Sequence, residues 1–205
     1  SEEDSIRLVI IGLTGGIGTG KTHVSRLLED LGAAIVNADL LGHEVYEPQS
    51  EGWRAVVDAF GDGIVADDGA IDRRALGGIV FSDPNALQQL NAIMHPRIYA
   101  LAEQRLNSLA EQGTTNAVLE AALLIEANWT PLVNEVWVTV SPEADVIARL
   151  QRRNMDETTA RSRIDSQMPQ AERMEHADVV IENSTTPEEL SATIQDLWTS
   201  RILAR

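Results

Sequence analysis

The chain has 205 residues, no cysteine, and 32 acidic against 16 basic side chains, a formal net charge of −16. This excludes a disulfide framework and thiolate metal centres, disfavours sequence-independent binding to nucleic acid or anionic membranes, and suits a single α/β domain with a substantial core. No stretch is long and apolar enough to span a bilayer, and the acidic start Ser1-Glu2-Glu3-Asp4-Ser5 has no signal-peptide pattern, so a cytoplasmic location is expected.

Leu8-Val9-Ile10-Ile11-Gly12-Leu13 is a continuous apolar run, expected to form a central parallel strand buried on both faces. It leads into Gly15-Gly16-Ile17-Gly18-Thr19-Gly20-Lys21-Thr22, which matches G-x-x-x-x-G-K-[ST] at every fixed position. Val24, Leu27, Leu28 and Leu31 then recur at helical spacing. A strand, a glycine loop and a helix in that order bring backbone N–H groups and a helix N-terminus onto a polyphosphate. Lys21 is expected to bridge the β- and γ-phosphates and the Thr22 hydroxyl to ligate Mg²⁺. Lys21 is the chain's single lysine, with fifteen arginines elsewhere. The position thus calls for a compact ammonium rather than for general basicity.

Ala33-Ala34-Ile35-Val36 is expected to be a second strand ending at Asn37-Ala38-Asp39, which places Asp39 at a strand's carboxyl end, where open α/β sheets bind ligands. Residues 40–112 are mainly helical in pattern, with Asp83-Pro84 as an N-cap and first helical position. His95 precedes Pro96, which disfavours helical geometry and suggests a helix boundary. Ala117–Glu120 and Val136–Val140 are the third and fourth strands, the latter followed by Ser141-Pro142-Glu143 opening a helix. Residues 149–173 carry six arginines against four acids, a local surplus of +2 in an acidic chain. Ala177–Glu182 is the fifth strand, and Thr186-Pro187-Glu188-Glu189 is a capping box. Strands alternating with helices imply a parallel sheet.

The ordered series Leu13–Thr22, Asn37-Ala38-Asp39, Leu90–Pro96, Leu123–Glu126, Arg163–Pro169 and Ala177–Ser184 resembles the dephospho-coenzyme A kinase family. The resemblance departs from the family pattern at Asn37, usually aspartate, at His43, commonly arginine, and at Ala122, commonly proline. It implies a P-loop NTPase fold, a three-layer α/β/α domain over 1–205 with a five-stranded parallel sheet. It also implies a helical acceptor-binding insertion at 40–112 and an arginine-rich lid at 149–175. The implied activity is transfer of the ATP γ-phosphate to the ribose 3′-hydroxyl of dephospho-coenzyme A with Mg²⁺, the last step of coenzyme A synthesis.

In that scheme Gly16, Ile17, Gly18, Thr19, Gly20, Lys21 and Thr22 cradle ATP, with Arg153 and Asn183 as further nucleotide contacts. Lys21, Arg149 and Asp39 are the catalytic candidates, Asp39 receiving the acceptor hydroxyl proton. Thr14, Asp39, His95 and Arg163 face the acceptor. Several have plainer alternatives: Asp39 as the helix N-cap before Leu40-Leu41, the arginines as a solvated basic face, and Asn183-Ser184 as a polar turn. Glu120 suits either a water-mediated Mg²⁺ contact or an ion pair. Trp53, Trp129, Trp137 and Trp198 are expected in the core or in pocket walls, and the four histidines lack metal-ligand spacing. Two rival functions remain: another small-molecule or nucleoside monophosphate kinase of this architecture, and a nucleotide-dependent switch. A guanine-selective switch needs Asn-Lys-x-Asp, which a chain with its one lysine in the loop lacks.

Overall fold

The apolar run after Arg7 forms β1, Val9–Gly15, the middle strand of a five-stranded parallel sheet in the computed structural model of the chain. Residues 7–205 are described; the acidic start Ser1–Ser5 lies outside them. The remaining strands are β2 (Ala34–Asn37), β3 (Asn116–Glu120), β4 (Glu135–Val140) and β5 (Val179–Glu182), in the order β2-β3-β1-β4-β5. β1 pairs with β3 from Val9↔Asn116 to Leu13↔Glu120 and with β4 from Ile11↔Glu135 to Gly15↔Thr139. β2 and β3 lie on one side of β1 and β4 and β5 on the other, so the connection out of β1 and the later one from β3 to β4 run in opposite directions, and the crevice at the carboxyl ends opens where β1 hands over to its loop.

Helices cover both sheet faces. On one face α1 (Lys21–Asp30) and α9 (Pro187–Leu197) bury Val24, Leu28, Leu190 and Ile194 against Ile11, Leu13, Val118, Trp137 and Ile181. Trp137 is fully buried and Trp129 and Trp198 nearly so. α6 (Glu143–Arg152) and α7 (Glu157–Asp165) meet through Val146, Leu150 and Ala160, with Ile17 of the loop packed against them. α8 (Gln170–Glu175) follows before β5. Thr186 caps α9 by accepting from the Glu189 N–H, as its capping box implies.

Contacts divide the described residues into two compact units, 7–36 with 106–205, and 37–105. The second unit holds α2 (Ala38–Val45), α3 (Glu51–Phe60), α4 (Arg73–Val80) and most of α5 (Pro84–Glu111). Ser50 and Asp72 cap α3 and α4, and Asp83 accepts from the Asn85 N–H at the start of α5. The bidentate pair Arg97–Glu51 and the pair Arg105–Glu44 lie within this unit.

The helix boundary expected at His95-Pro96 is not there: α5 runs unbroken through Pro96. Proline removes one N–H from the helix ladder. The carbonyl that loses its donor is that of Ala92, four residues back; one residue on, Arg97 Nη1 donates to the Ile93 carbonyl at 2.8 Å.

At the opposite end of the sheet from the loop, Glu135 is buried and receives hydrogen bonds from Arg201 Nε (2.8 Å), Trp137 Nε1 (3.0 Å) and Arg205 Nη2. Burial alone would push this carboxyl up, but the donors Arg201, Trp137 and Arg205 hold it below the ordinary carboxylate range. A group with a depressed folded-state value contributes stability that is present above its unfolded value and lost as pH falls through the folded one. Glu135→Gln is therefore expected to cost about 1–3 kcal/mol at neutral pH, the scale of hydrogen bonds to a charged group. The loss should shrink toward zero in acid, as read from urea unfolding against pH.

Candidate active site

The loop after β1 is shaped by glycine where the backbone demands it. Gly20 has φ +88°, and a Cβ there would stand 2.2 Å from Asn183 Nδ2. A Cβ at Gly15 would stand 1.9 Å from Thr139 Oγ1. Neither site accepts a side chain, so the loop lies directly against the ends of β4 and β5. Thr19 fastens it, its hydroxyl 2.7 Å from the Gly16 carbonyl and 2.8 Å from Thr139 Oγ1. Around it opens a cavity of about 280 Å³ walled by Gly16, Ile17, Gly18, Lys21, Thr22 and Arg153, among others. A wider groove of about 530 Å³ runs beside it past Arg149, Arg153, Asn183 and Ser184.

Arg149 is no solvated surface arginine. Its Nη1 donates to the Gly18 carbonyl (2.9 Å) and to Ser141 Oγ (2.7 Å), and its Nη2 to the Asn183 carbonyl (2.7 Å). Ser141 Oγ in turn donates to that same Asn183 carbonyl, and Asn183 Nδ2 donates to the Thr19 carbonyl at 3.1 Å. One guanidinium thus ties the loop to the ends of β4 and β5. Arg161, by contrast, pairs with Glu157 and Glu143 on an exposed face, and Arg163 is exposed on α7.

Thr22 Oγ1 donates to Glu120 Oε1 at 3.4 Å, and Glu120 is buried. A hydroxyl beside a carboxylate is a hard-oxygen pair that suits Mg²⁺. Among the described residues no group of three or more His, Cys, Asp or Glu could hold a metal ion; a Mg²⁺ at this pair would need phosphate oxygens and water as its further ligands. Thr14 is fully buried with its hydroxyl on the Ala122 carbonyl (3.2 Å).

In the other unit, α2 begins directly after β2, and its N-cap is Asn37, whose Oδ1 accepts from the N–H groups of Asp39 (2.9 Å) and Leu40 (3.3 Å). The capping alternative for Asp39 therefore falls away, since the position two residues earlier does that work. It leaves the Asp39 carboxylate exposed in the first helical turn. An amide oxygen caps as well as a carboxylate does, which accounts for the asparagine. At the second departure, His43 Nε2 lies 2.8 Å from Arg73 Nη1; a guanidinium only donates, so Nε2 accepts. His95 is half-buried, and burial pushes its imidazole below the usual histidine value.

The family model described as dephospho-CoA kinase matches residues 9–189. A dephospho-CoA kinase of Geobacter sulfurreducens is 48% identical over 193 residues, covering 94% of this chain and 98% of its own length. The chain belongs to the dephospho-CoA kinase family. A second relative, the dephospho-CoA kinase of Carboxydothermus hydrogenoformans, is 42% identical over 195 residues, covering 93% of this chain and 95% of that one. Among solved structures, TT1252 from Thermus thermophilus has a TM-score of 0.81 at 29% identity, covering 95% of this chain and 98% of that one. Dephospho-CoA kinase from Campylobacter jejuni has 0.73 at 23%, covering 97% and 99%, and shares the fold. As a dephospho-CoA kinase family member, the chain is an ATP-dependent kinase acting on a hydroxyl group. Among the described residues no helix is long and apolar enough to cross a membrane.

Three residues of this site escaped the sequence reading: Ser141, Gln167 and Arg173. Gln167 Oε1 accepts from the Ile17 N–H at 2.8 Å, and Arg173 lies buried beside Gly16. Gln167 falls within the motif Arg163–Pro169, and Arg173 within the arginine-rich stretch, but nothing in their spacing marked them.

Proposed function

We propose that this chain transfers the γ-phosphoryl group of ATP to the ribose 3′-hydroxyl of dephospho-coenzyme A, yielding coenzyme A and ADP in the cytoplasm. The observation that carries this reading is the complete phosphate loop, Gly15–Thr22, in a chain whose relatives over nearly its full length are dephospho-CoA kinases. Loop N–H groups and the N-terminus of α1 hold the β-phosphate. Lys21 follows the moving phosphoryl group, Arg153 and Asn183 line the nucleotide side, and Arg149 keeps the loop in the shape that aims those donors. Thr22, with Glu120 beside it, would hold the Mg²⁺ that such a transfer uses, and the ion would neutralise charge on the phosphoryl oxygens.

Asp39 takes the proton of the acceptor hydroxyl as the new P–O bond forms and the bond to the ADP oxygen breaks. His95, held neutral by its burial, contacts the acceptor as an uncharged hydrogen-bonding group, and Arg163 meets it from the 149–175 segment acting as a lid. Thr14 contributes indirectly, by fixing the turn at Ala122. The test is incubation with Mg-ATP and dephospho-coenzyme A, with AMP, CMP and shikimate as rival acceptors, following ADP and product mass. Coenzyme A formed with the first acceptor alone is expected; transfer to another, or ADP without a phosphorylated product, overturns the reading.

Arg149→Lys is expected to reduce kcat about 10–100-fold, because a point-like ammonium lacks the planar fork whose two arms reach the Gly18 and Asn183 carbonyls, and small displacements of reacting groups carry penalties of that order. An unchanged kcat would make the Gly18–Ser141–Asn183 network dispensable.

A further inference from the structure

Arg173 has no place in the scheme above, yet it is among the most deeply buried side chains of the molecule, only 2% exposed. Its Nε has no hydrogen-bond partner among the described residues. The charge that reaches it is that of Glu126, whose Oε1 is likewise buried without a hydrogen-bond partner among the described residues. Burial pushes its guanidinium below the usual arginine value, and Glu126 opposes that shift. An incompletely partnered guanidinium in the interior is costly, and its retention calls for a ligand that completes it.

The geometry says where that ligand arrives. A Cβ built on Gly16 would stand 3.2 Å from Arg173 Nη1 and 3.5 Å from Gln167 Oε1. Glycine at this position lets the guanidinium and the carboxamide come up against the phosphate loop itself. A cavity of about 340 Å³ opens here, bounded by Gly16, Ile17, Gln167 and Arg173. Gly16, Ile17 and Gln167 also bound the cavity that contains Lys21 and Thr22, so the two spaces share a wall. Of the other arginines, Arg149 is committed to the carbonyls of Gly18 and Asn183 and Arg161 to Glu157 and Glu143, while Arg153 lines the loop cavity on the side of the wider groove. Gln167 Oε1 is taken by the Ile17 N–H, which turns its amide donors away from that contact.

We propose that Arg173 is a ligand-contacting residue that donates to an oxygen of the terminal phosphoryl group of a bound nucleoside triphosphate, its buried charge being satisfied only while that group is present. The proposal rests on the chain being an ATP-dependent kinase. A triphosphate brings three equatorial oxygens that gather charge during transfer, so a planar guanidinium beside Gly16 can complement the Lys21 ammonium there. Arg173 thereby lets the site tell substrate triphosphate from product diphosphate.

The test is calorimetric binding of Mg-ADP and of the non-hydrolysable β,γ-imido analogue of ATP to the wild type, Arg173→Met and Arg173→Lys, without any acceptor. In Arg173→Met the triphosphate analogue should bind about 10–100-fold more weakly, the range for losing a charge-assisted hydrogen bond. ADP should bind within about 2-fold of wild type, and the Tm of the empty protein should not fall, since an apolar side chain of similar length replaces a poorly compensated buried charge. Arg173→Lys, which keeps the charge, should retain part of the preference and serves if the methionine variant does not fold. Equal weakening of both nucleotides, no weakening of either, or a lowered Tm with intact discrimination overturns the proposal and leaves Arg173 as the structural partner of Glu126. Because no acceptor is present, these outcomes do not depend on whether dephospho-coenzyme A is the substrate.

Discussion

Lys21→Ala is expected to lower turnover by at least ~100-fold while leaving the far-ultraviolet circular dichroism and the Tm of the empty protein essentially unchanged. The ammonium is half-buried at the first position of α1 and lines the phosphate-loop cavity. The fold at this point is secured by other groups, namely Thr19 on the Gly16 carbonyl and Thr139, and Asn183 on the Thr19 carbonyl. The cost of losing Lys21 therefore falls on the transition state, where a mobile positive charge tracks the phosphoryl group between two oxygens. A variant with near-normal turnover would sink the assignment of this loop as the phosphoryl-transfer site. Equally large losses in Tm and rate would mean that Lys21 holds the loop rather than the phosphate.

Asp39→Asn should lower kcat by about 100-fold or more, within the range for removing a positioned general base, with little change in ATP affinity. The substitution is nearly isosteric, and α2 should keep its start because the cap is Asn37 Oδ1 and not the Asp39 side chain. That separation makes the experiment clean: a change in helix stability would not accompany a change in chemistry. Measured kcat equal to wild type would remove Asp39 from the proton-transfer role, and loss of ATP binding would place it among the nucleotide contacts instead.

What the sequence made legible was local. The apolar run into Gly15–Thr22 announces strand, loop and helix within about twenty residues, and Thr186-Pro187-Glu188-Glu189 or Asp83-Pro84 announce helix starts through contacts two or three residues apart. The locations of the five strands followed from the same kind of pattern. The partners of Arg149 did not, because Gly18 lies 131 positions away and Asn183 34, and a basic residue in the last turn of a helix looks the same whether it faces solvent or a carbonyl. Gln167 reaches Ile17 across 150 positions. Arg173 was hidden by its surroundings, since five of the six residues of α8 are exposed and only the fold turns this one inward. At Pro96 a sound local rule gave the wrong boundary, since proline removes only one bond of the ladder and a helix of 28 residues runs on past it. At Asn37 the helix begins without any intervening loop, a shift of two residues that changes which side chain caps and which is left for chemistry.

The carboxamide of Gln167 seated on the Ile17 nitrogen also makes that one backbone proton a gauge. Its exchange with solvent deuterium requires Gln167 to let go, so protection at a single amide reports the free energy of releasing the loop from the residue between α7 and α8. The looseness of that clasp is thus written into an ordinary peptide N–H, readable without a label, an acceptor or a turnover.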